Sequence, residues 1–185
     1  MFVVQASGAS AAADCLGGNW IVGTLNSEVD SNIRECNFKF VPTVVSTTGA
    51  AGTVYVSSIF VPYTKYYTGV SVLNGGTVGT SLTLVTLYDE AGTLIRNAST
   101  AGVSGGTASV MWDIAFTSPR FVIGPQRYFV GVQNSGATAT FGLAGALMSL
   151  GDIVGNARAG TFGTLPAITV PTAFTSVQTP VACLY

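Results

Sequence analysis

The sequence predicts an all-β protein: an antiparallel β-sandwich, jelly-roll-like, with an extended N-terminal arm and a proline-containing C-terminal tail. Two observations lead to this class. Short segments rich in Val, Thr, Tyr and Phe, the residues that fit a pleated surface, recur along the chain. Clusters of Gly and Asn separate these segments, and strands with such spacing are typical of sandwiches and jelly rolls.

The clearest strand is predicted over residues 107–117, where apolar residues alternate with mostly polar ones at a period of two. A strand of this kind covers a core with one face and turns the other toward water or a partner. The inward face is expected to consist of Ala108, Val110, Trp112, Ile114 and Phe116.

The sequence predicts a hairpin at one place, because predicted strands at 81–88 and 93–98 flank the turn sequence Asp89-Glu90-Ala91-Gly92. The side chain of Asp89 can open the turn, and Gly92 can adopt a positive φ at its exit. Further strands are predicted at residues 20–25, 38–45, 53–61, 66–73, 127–133 and 137–143.

The chain divides into three predicted parts: an arm at residues 1–35, a sandwich domain at 36–166 and an extended tail at 167–185. The tail carries Pro171 and Pro180, and proline fixes φ and removes a ladder donor. An apolar tail is expected to lie on its own domain or on a neighbouring subunit, because water penalises a free one. We expect the tail or the arm to contact a neighbouring chain, and neither to be needed for folding.

The charge content is low, which limits the classes of function. Charged residues make up 8% of the chain, against about 25% in an average globular domain. This composition suits a protein held in a permanent assembly, although extracellular sandwiches share it. The net charge is −1 and the cations are scattered singly, so no nucleic-acid binding is predicted. No apolar run approaches the roughly 18 residues of a membrane span, so no membrane association is predicted.

The cysteines Cys15, Cys36 and Cys183 are odd in number and widely spaced. Such a set is a poor disulfide framework and lacks the spacing of a metal finger, which predicts three buried free thiols. The N-terminus does not read as a signal peptide. Together these features predict synthesis in a reducing cytosol.

No catalytic constellation is predicted. The chain has no histidine, which excludes Ser–His and Cys–His nucleophiles, and nothing indicates a facing pair of carboxylates for glycoside hydrolysis. The protein is therefore predicted not to be an enzyme, and no cofactor or metal is predicted. Asp113, on the polar face of its strand, is interpreted either as solvent-facing or as a subunit-contact charge paired with an arginine from elsewhere.

Three tyrosines are the candidate contact residues. Tyr63, Tyr66 and Tyr67 surround Lys65, and aromatic rings of this kind can stack on sugar rings or pack on a partner protein. Packing within the strands explains them equally well.

A resemblance covers most of the chain beyond the arm. Residues 52–185 resemble β-sandwich modules of tailed-bacteriophage virion proteins, found in capsid decorations, head fibres and tail parts. The motifs that carry it are turn-and-strand signatures at 52–56 (GTVYV), 67–75 (YTGVSVLNG), 78–80 (VGT), 87–94 (LYDEAGTL), 128–133 (YFVGVQ), 160–166 (GTFGTLP) and 169–171 (TVP).

This resemblance implies a virion structural protein, made in the host cytoplasm and located on the virion. The leading expectation is a capsid decoration or cement protein that binds the major capsid protein or other virion proteins as a homo-oligomer, in the family commonly a trimer. The alternative is a glycan-binding head-fibre or tail module used in host attachment, and a third reading is a glycoside-active enzyme. Exposed aromatics on one face or loop tip favour the glycan module, whereas a flat, extended apolar surface favours the decoration protein.

Overall fold

The computed structural model describes residues 34–38, 44–145 and 153–185, and within these ranges the regular structure consists of strands without a helix. The all-β prediction is confirmed for that part of the chain. The strands are β1 (Glu35–Cys36), β2 (Val44–Thr48), β3 (Val54–Val61), β4 (Lys65–Leu73), β5 (Thr83–Tyr88), β6 (Leu94–Asn97), β7 (Met111–Val122), β8 (Gln126–Asn134), β9 (Thr140–Ala144), β10 (Gly155–Arg158) and β11 (Ala182–Leu184).

The strands form three antiparallel sheets. A front sheet has the order β1-β11-β4-β7, a back sheet has the order β10-β3-β8-β5-β6, and β2 pairs with β9 in a side ribbon. The predicted strand at 20–25 and the arm up to residue 33 lie outside the described residues, as do residues 39–43 of the predicted strand at 38–45.

The front and back sheets share one core, which makes the packing sandwich-like. Both sheets contribute fully buried side chains to it, among them Ile59, Val70, Leu87, Ile114 and Val130. Removal of this apolar surface from water stabilises the fold by about 25 cal/mol per Å².

The segment predicted as a tail lies on its own domain. Ile168 packs on the outer face of the back sheet beside Val56 and Phe129, and its backbone N–H donates to the carbonyl of Gly92 at 2.9 Å. Most of both faces of β3 and β8 is therefore covered, which explains why nearly every residue of these strands is buried or half-buried, with Phe60 as the exposed exception.

The end of the chain differs from the prediction. Residues 182–184 form β11, which pairs with both β1 and β4 inside the front sheet. The predicted division at residues 35 and 166 thus separates strands that belong to one sheet. A three-residue strand that begins two residues after Pro180 carries too little pattern to be recognised from sequence.

The prediction of free thiols is wrong for two of the cysteines. Cys36 and Cys183 are direct partners in the β1–β11 register and form a disulfide. Local sequence patterns could not predict this pairing because 147 residues separate the two positions. Cys15 lies outside the described residues.

The strand predicted at 107–117 begins later than expected, at Met111. Ile114 and Phe116 are buried as predicted and Trp112 is partly buried, but Ala108 and Val110 are exposed, which corrects that half of the inward face. The physical reason is the backbone before β7. Gly105, Gly106 and Ser109 all have positive φ, so residues 105–109 cannot continue an extended strand.

The predicted hairpin is confirmed by the β5–β6 pair. The carboxylate of Asp89 accepts a hydrogen bond from the Thr93 N–H at 2.8 Å, and its carbonyl accepts one from the Gly92 N–H at 3.0 Å. Gly92 has φ +81°, and a Cβ there would lie 2.5 Å from the Ile168 carbonyl oxygen, so both the conformation and the space require glycine.

Candidate contact surface

Two loops meet at one end of the sandwich. The first joins β3 to β4 and the second joins β7 to β8. The Thr64 hydroxyl donates to the Gly124 carbonyl at 3.1 Å and accepts from the Gly124 N–H at 3.0 Å. A Cβ on Gly124 would lie 2.7 Å from the Tyr63 backbone, so glycine is what allows the loops to approach this closely. The two loops therefore form one supported tip.

Five large apolar side chains are exposed at this end, and we call them the aromatic end. Their exposed fractions are Tyr63 67%, Tyr66 67%, Ile123 61%, Phe60 52% and Phe121 49%. Exposed apolar residues scattered singly are ordinary, but here the rings of Tyr66 and Phe121 are in contact, and exposed apolar side chains grouped in this way indicate a contact site.

The strand register explains why these side chains point outward. Lys65 pairs with Val122, which is buried in the core, so the next pair, Tyr66 and Phe121, faces away from it. The two rings lie 5.0 Å apart between centroids with an interplanar angle of 55°. Phe60 is exposed on the back sheet by the same alternation, because Ile59 and Val61 point into the core.

Tyr67 does not belong to the contact surface, which corrects its place among the candidate contact residues. Its side chain is fully buried between the sheets. Burial, and secondarily the charge of Glu35, raises the pKa of its phenol above the usual range. The sequence grouped Tyr63, Tyr66 and Tyr67, and the structure exposes only the first two at the surface.

A buried ionic cluster lies beneath the aromatic end. Glu35 is 1% exposed, and Lys65 Nζ lies 3.3 Å from its Oε1. The ammonium of Lys65 also lies 4.8 Å from the centre of the Tyr67 ring. Burial raises the pKa of Glu35, and the Lys65 charge opposes that rise without cancelling it. The ammonium of Lys65 therefore interacts with Glu35 and Tyr67 inside the protein.

Asp113 forms an ion pair within the same chain. Arg34 Nη2 donates to its Oδ2 at 2.8 Å and Nη1 to its Oδ1 at 2.5 Å, while the Ser71 hydroxyl also donates to the carboxylate. The guanidinium lies 5.3 Å from the centre of the Tyr185 ring. Burial alone would raise the pKa of Asp113, but the hydrogen bonds and charge of Arg34 and the bond from Ser71 lower it overall. The arginine expected from elsewhere is thus this chain's own Arg34.

The described residues contain neither a cluster suited to a metal ion nor a helix suited to a membrane span. Within residues 34–38, 44–145 and 153–185, no three His, Cys, Asp or Glu side chains lie close enough together to hold a metal ion. Over the same ranges there is no helix with the length and apolar character of a membrane span.

Compared with protein-family models, curated proteins and solved structures, the chain matches none of them.

The sequence prediction missed Phe60, Phe121 and Ile123. Phe60 lies within the predicted strand at 53–61, where only the register distinguishes an outward ring from a core ring. The signal for the other two was the run Phe121-Val122-Ile123-Gly124-Pro125, in which three consecutive apolar residues lead into a Gly-Pro turn.

Proposed function

We propose that the protein is a non-enzymatic structural module of a virion, and that its aromatic end binds another virion protein. The observation that carries the proposal is the exposure of Tyr63, Tyr66, Phe60, Phe121 and Ile123 around one supported tip. Aromatic residues are enriched at the buried cores of protein interfaces, and charged residues are depleted there. A tip built from two Tyr, two Phe and one Ile fits that description.

The proposed fold is a jelly roll. Without β2, β9 and β10, eight strands remain in the chain order β1, β3, β4, β5, β6, β7, β8 and β11. A jelly roll wound from an eight-strand antiparallel ribbon pairs the first strand with the eighth, the second with the seventh, the third with the sixth and the fourth with the fifth. The pairs β1–β11, β3–β8, β4–β7 and β5–β6 follow this scheme.

The proposed partner is the major capsid protein or another protein of a tailed-bacteriophage particle, with the module acting as a decoration or cement subunit in a homo-oligomer. The resemblance of residues 52–185 to virion modules motivates this partner, and the low charge content of 8% is consistent with a permanent place in an assembly. A contact made by apolar side chains gains its energy from surface removed from water. The protein would accordingly be located on the virion.

Binding of a host-surface glycan is the second candidate, and a specific observation favours it. Tyr63 and Tyr66 are the most exposed aromatic residues in the part of the chain that the structure describes, and they belong to a loop tip and the start of the adjoining strand. Rings placed this way can stack on sugars. Against it, Ile123 offers no ring for stacking, and Tyr66 and Phe121 are tilted by 55° and so form no flat platform.

Binding of the protein to each of the two candidate partners, measured separately, tests the proposal. Purified protein is incubated with particles of the virus that encodes it, after removal of the resident copies, and separately with surface polysaccharide from the host. The proposal expects saturable binding to particles and none to polysaccharide. Binding to polysaccharide alone would replace the leading function with the second candidate, and binding to neither would remove both.

A further inference from the structure

The sequence contains a single Asn-Gly pair, Asn74-Gly75, which directly follows strand β4. In such a pair the backbone nitrogen of the glycine can attack the side-chain amide of the asparagine, and the asparagine then loses ammonia. Glycine favours this reaction because it has no side chain to hinder the approach and its backbone rotates freely. In an unfolded chain Asn74 is therefore the asparagine most open to deamidation.

The fold requires both residues of this pair. A Cβ on Gly75 would lie 2.3 Å from Thr140 Oγ1, so there is room only for glycine. The side-chain nitrogen of Asn74 donates to the Thr107 carbonyl at 3.0 Å. A Cβ on Gly106 would lie 2.2 Å from that same nitrogen, so the loop before β7 fits closely around the amide. A chemically reactive pair therefore lies at a position where the fold depends on both of its members.

Backbone hydrogen bonds on both sides hold the pair in place. The N–H of Gly75 donates to the Thr140 carbonyl at 2.9 Å, and the Gly75 carbonyl accepts from the Ser109 N–H at 2.9 Å. The N–H of Asn74 donates to the Val110 carbonyl at 3.0 Å. The nitrogen that would attack is thus engaged with β9, and Asn74 is 7% exposed. Deamidation requires the pair to separate from these partners first.

The segment at 104–110 is where the surroundings of Asn74 open most easily. It is bonded to Asn74 and Gly75 and is exposed along its whole length. Ser109 has φ +58°, which is uncommon for a residue with a side chain. Exposed segments with few buried contacts open more readily than the core. Once this segment opens, Asn74 loses the acceptor of its side-chain amide, and the reaction then requires only that the Gly75 N–H also leaves β9.

We propose that Asn74 is a deamidation site that the fold keeps closed, and that its conversion prevents the opened segment from closing again. In the first step the Gly75 nitrogen gives its proton to a base in the solvent and bonds to Cγ of Asn74. The side-chain nitrogen of Asn74 takes up a proton and leaves as ammonia, so the two residues form a cyclic imide. Water then opens the imide at either carbonyl, which gives aspartate or isoaspartate.

Neither product fits the folded site. Aspartate presents a carboxylate oxygen to the Thr107 carbonyl where the amide now donates, and it places a charge at a position that is 7% exposed. Isoaspartate adds one carbon to the main chain between the amides of residues 74 and 75. The donors that now reach Val110 and Thr140 would then no longer match both acceptors. Conversion therefore makes an opening of this region irreversible.

Peptide mapping by mass spectrometry, with chromatographic separation of isoaspartate, tests the protection. The protein is incubated in native buffer and, at the same pH and temperature, unfolded in guanidinium chloride. Asn74 is expected to convert at least tenfold more slowly in the native protein than in the unfolded chain. Asn97, which precedes Ala98, is the internal control and should convert more slowly than Asn74 in the unfolded chain. Equal rates for Asn74 in both conditions would contradict the proposal.

Refolding of the incubated chains tests the consequence. After dilution from guanidinium chloride, the share of wild-type chains that regain the native urea midpoint should fall in step with the conversion of Asn74. Asn74→Ser lacks the amide and should lose no recovery over the same incubation. Loss of recovery in Asn74→Ser at the wild-type rate would assign the damage to another site and overturn the proposal.

The wild type also gives a measurement that does not depend on any variant. Refolded and misfolded chains from one incubation are separated by size-exclusion chromatography, and residue 74 is analysed in each. The native fraction should contain at least tenfold less aspartate and isoaspartate at this position than the misfolded fraction. Equal amounts in the two fractions would show that converted chains close normally, which would contradict the proposal.

Discussion

Cys36 and Cys183 lie opposite each other on β1 and β11 and are joined by a disulfide, although 147 residues separate them in the sequence. The two strands are only two and three residues long, and their pairing consists of two residue pairs. A covalent link that closes so large a loop limits the unfolded chain and holds two strands that have few hydrogen bonds of their own.

Removal of this disulfide is expected to lower the free energy of unfolding. The double change Cys36→Ser with Cys183→Ser should cost about 2–5 kcal/mol, measured by urea unfolding under oxidising conditions. A reductant should bring the wild type toward the stability of the double variant and leave the double variant unchanged. Equal stability of the wild type with and without reductant would mean that the bond does not form or does not stabilise the fold.

Truncation at the C-terminus is expected to unfold the front sheet. Deletion of residues 181–185 removes β11, which separates β1 from β4, together with one partner of the disulfide. This replaces the expectation, drawn from the prolines, that the tail is dispensable for folding. Near-ultraviolet circular dichroism should lose its native signal, whereas a native spectrum would contradict the place of β11 in the sheet.

Single substitutions in β7 and just before it test which residues of this segment face the core. Ile114 is 2% exposed, so Ile114→Ala is expected to cost about 2–5 kcal/mol of unfolding free energy. Val110 is 46% exposed, so Val110→Ala, the matched control, should cost less than about 0.5 kcal/mol. Similar losses for both, or the reverse order, would restore the predicted inward face of Ala108, Val110, Trp112, Ile114 and Phe116.

Glu35 is expected to make the stability depend on pH. Its pKa is raised by burial, so the unfolded chain ionises at lower pH than the folded one. The stabilising contribution is complete below the unfolded value of about 4.3 and is lost as pH rises through the raised folded value. Glu35→Gln should remove this decline, which lies between the unfolded and the raised folded pKa of Glu35.

The measurement is the urea midpoint of wild type and Glu35→Gln across the pH range 4 to 8. Asp113 acts in the opposite direction, because its pKa is lowered and its contribution disappears as pH falls. Asp113→Asn is therefore the matched control, and it should alter the acid side and leave the decline at higher pH in place. A wild-type midpoint that rises steadily from pH 5 to 8 would contradict the assignment for Glu35.

Local sequence patterns predicted the parts of the fold that local interactions determine. The turn from Asp89 to Gly92 was recognised because its side chain and its positive φ act within four residues. The exposure of Ala108 and Val110 was missed because the conformation of Ser109 and its neighbouring glycines breaks an alternation that looks continuous in the sequence. The partnership of Cys36 with Cys183 depends on the strand order, which no local pattern contains.

The candidate contact surface was likewise predicted where residue type alone indicates it and missed where it depends on strand pairing. Tyr63 and Tyr66 were recognised by residue type, and the structure exposes both. Tyr67 was grouped with them by sequence proximity, but the alternation of β4 directs it inward. Phe121 joins Tyr66 only through the β4–β7 register, a long-range relation that the sequence does not display.

Particle binding by paired variants tests most directly whether the aromatic end is the contact surface. Tyr66→Ser with Phe121→Ser removes two adjacent exposed rings, and neither ring belongs to the core. Val110→Ser removes a similarly exposed apolar group outside the aromatic end and is the control. The double variant is predicted to bind particles that lack the resident copies of this protein at least tenfold more weakly than the wild type does. Its urea midpoint should stay unchanged, and Val110→Ser should bind as the wild type does. Wild-type affinity in the folded double variant would contradict the assignment of this surface.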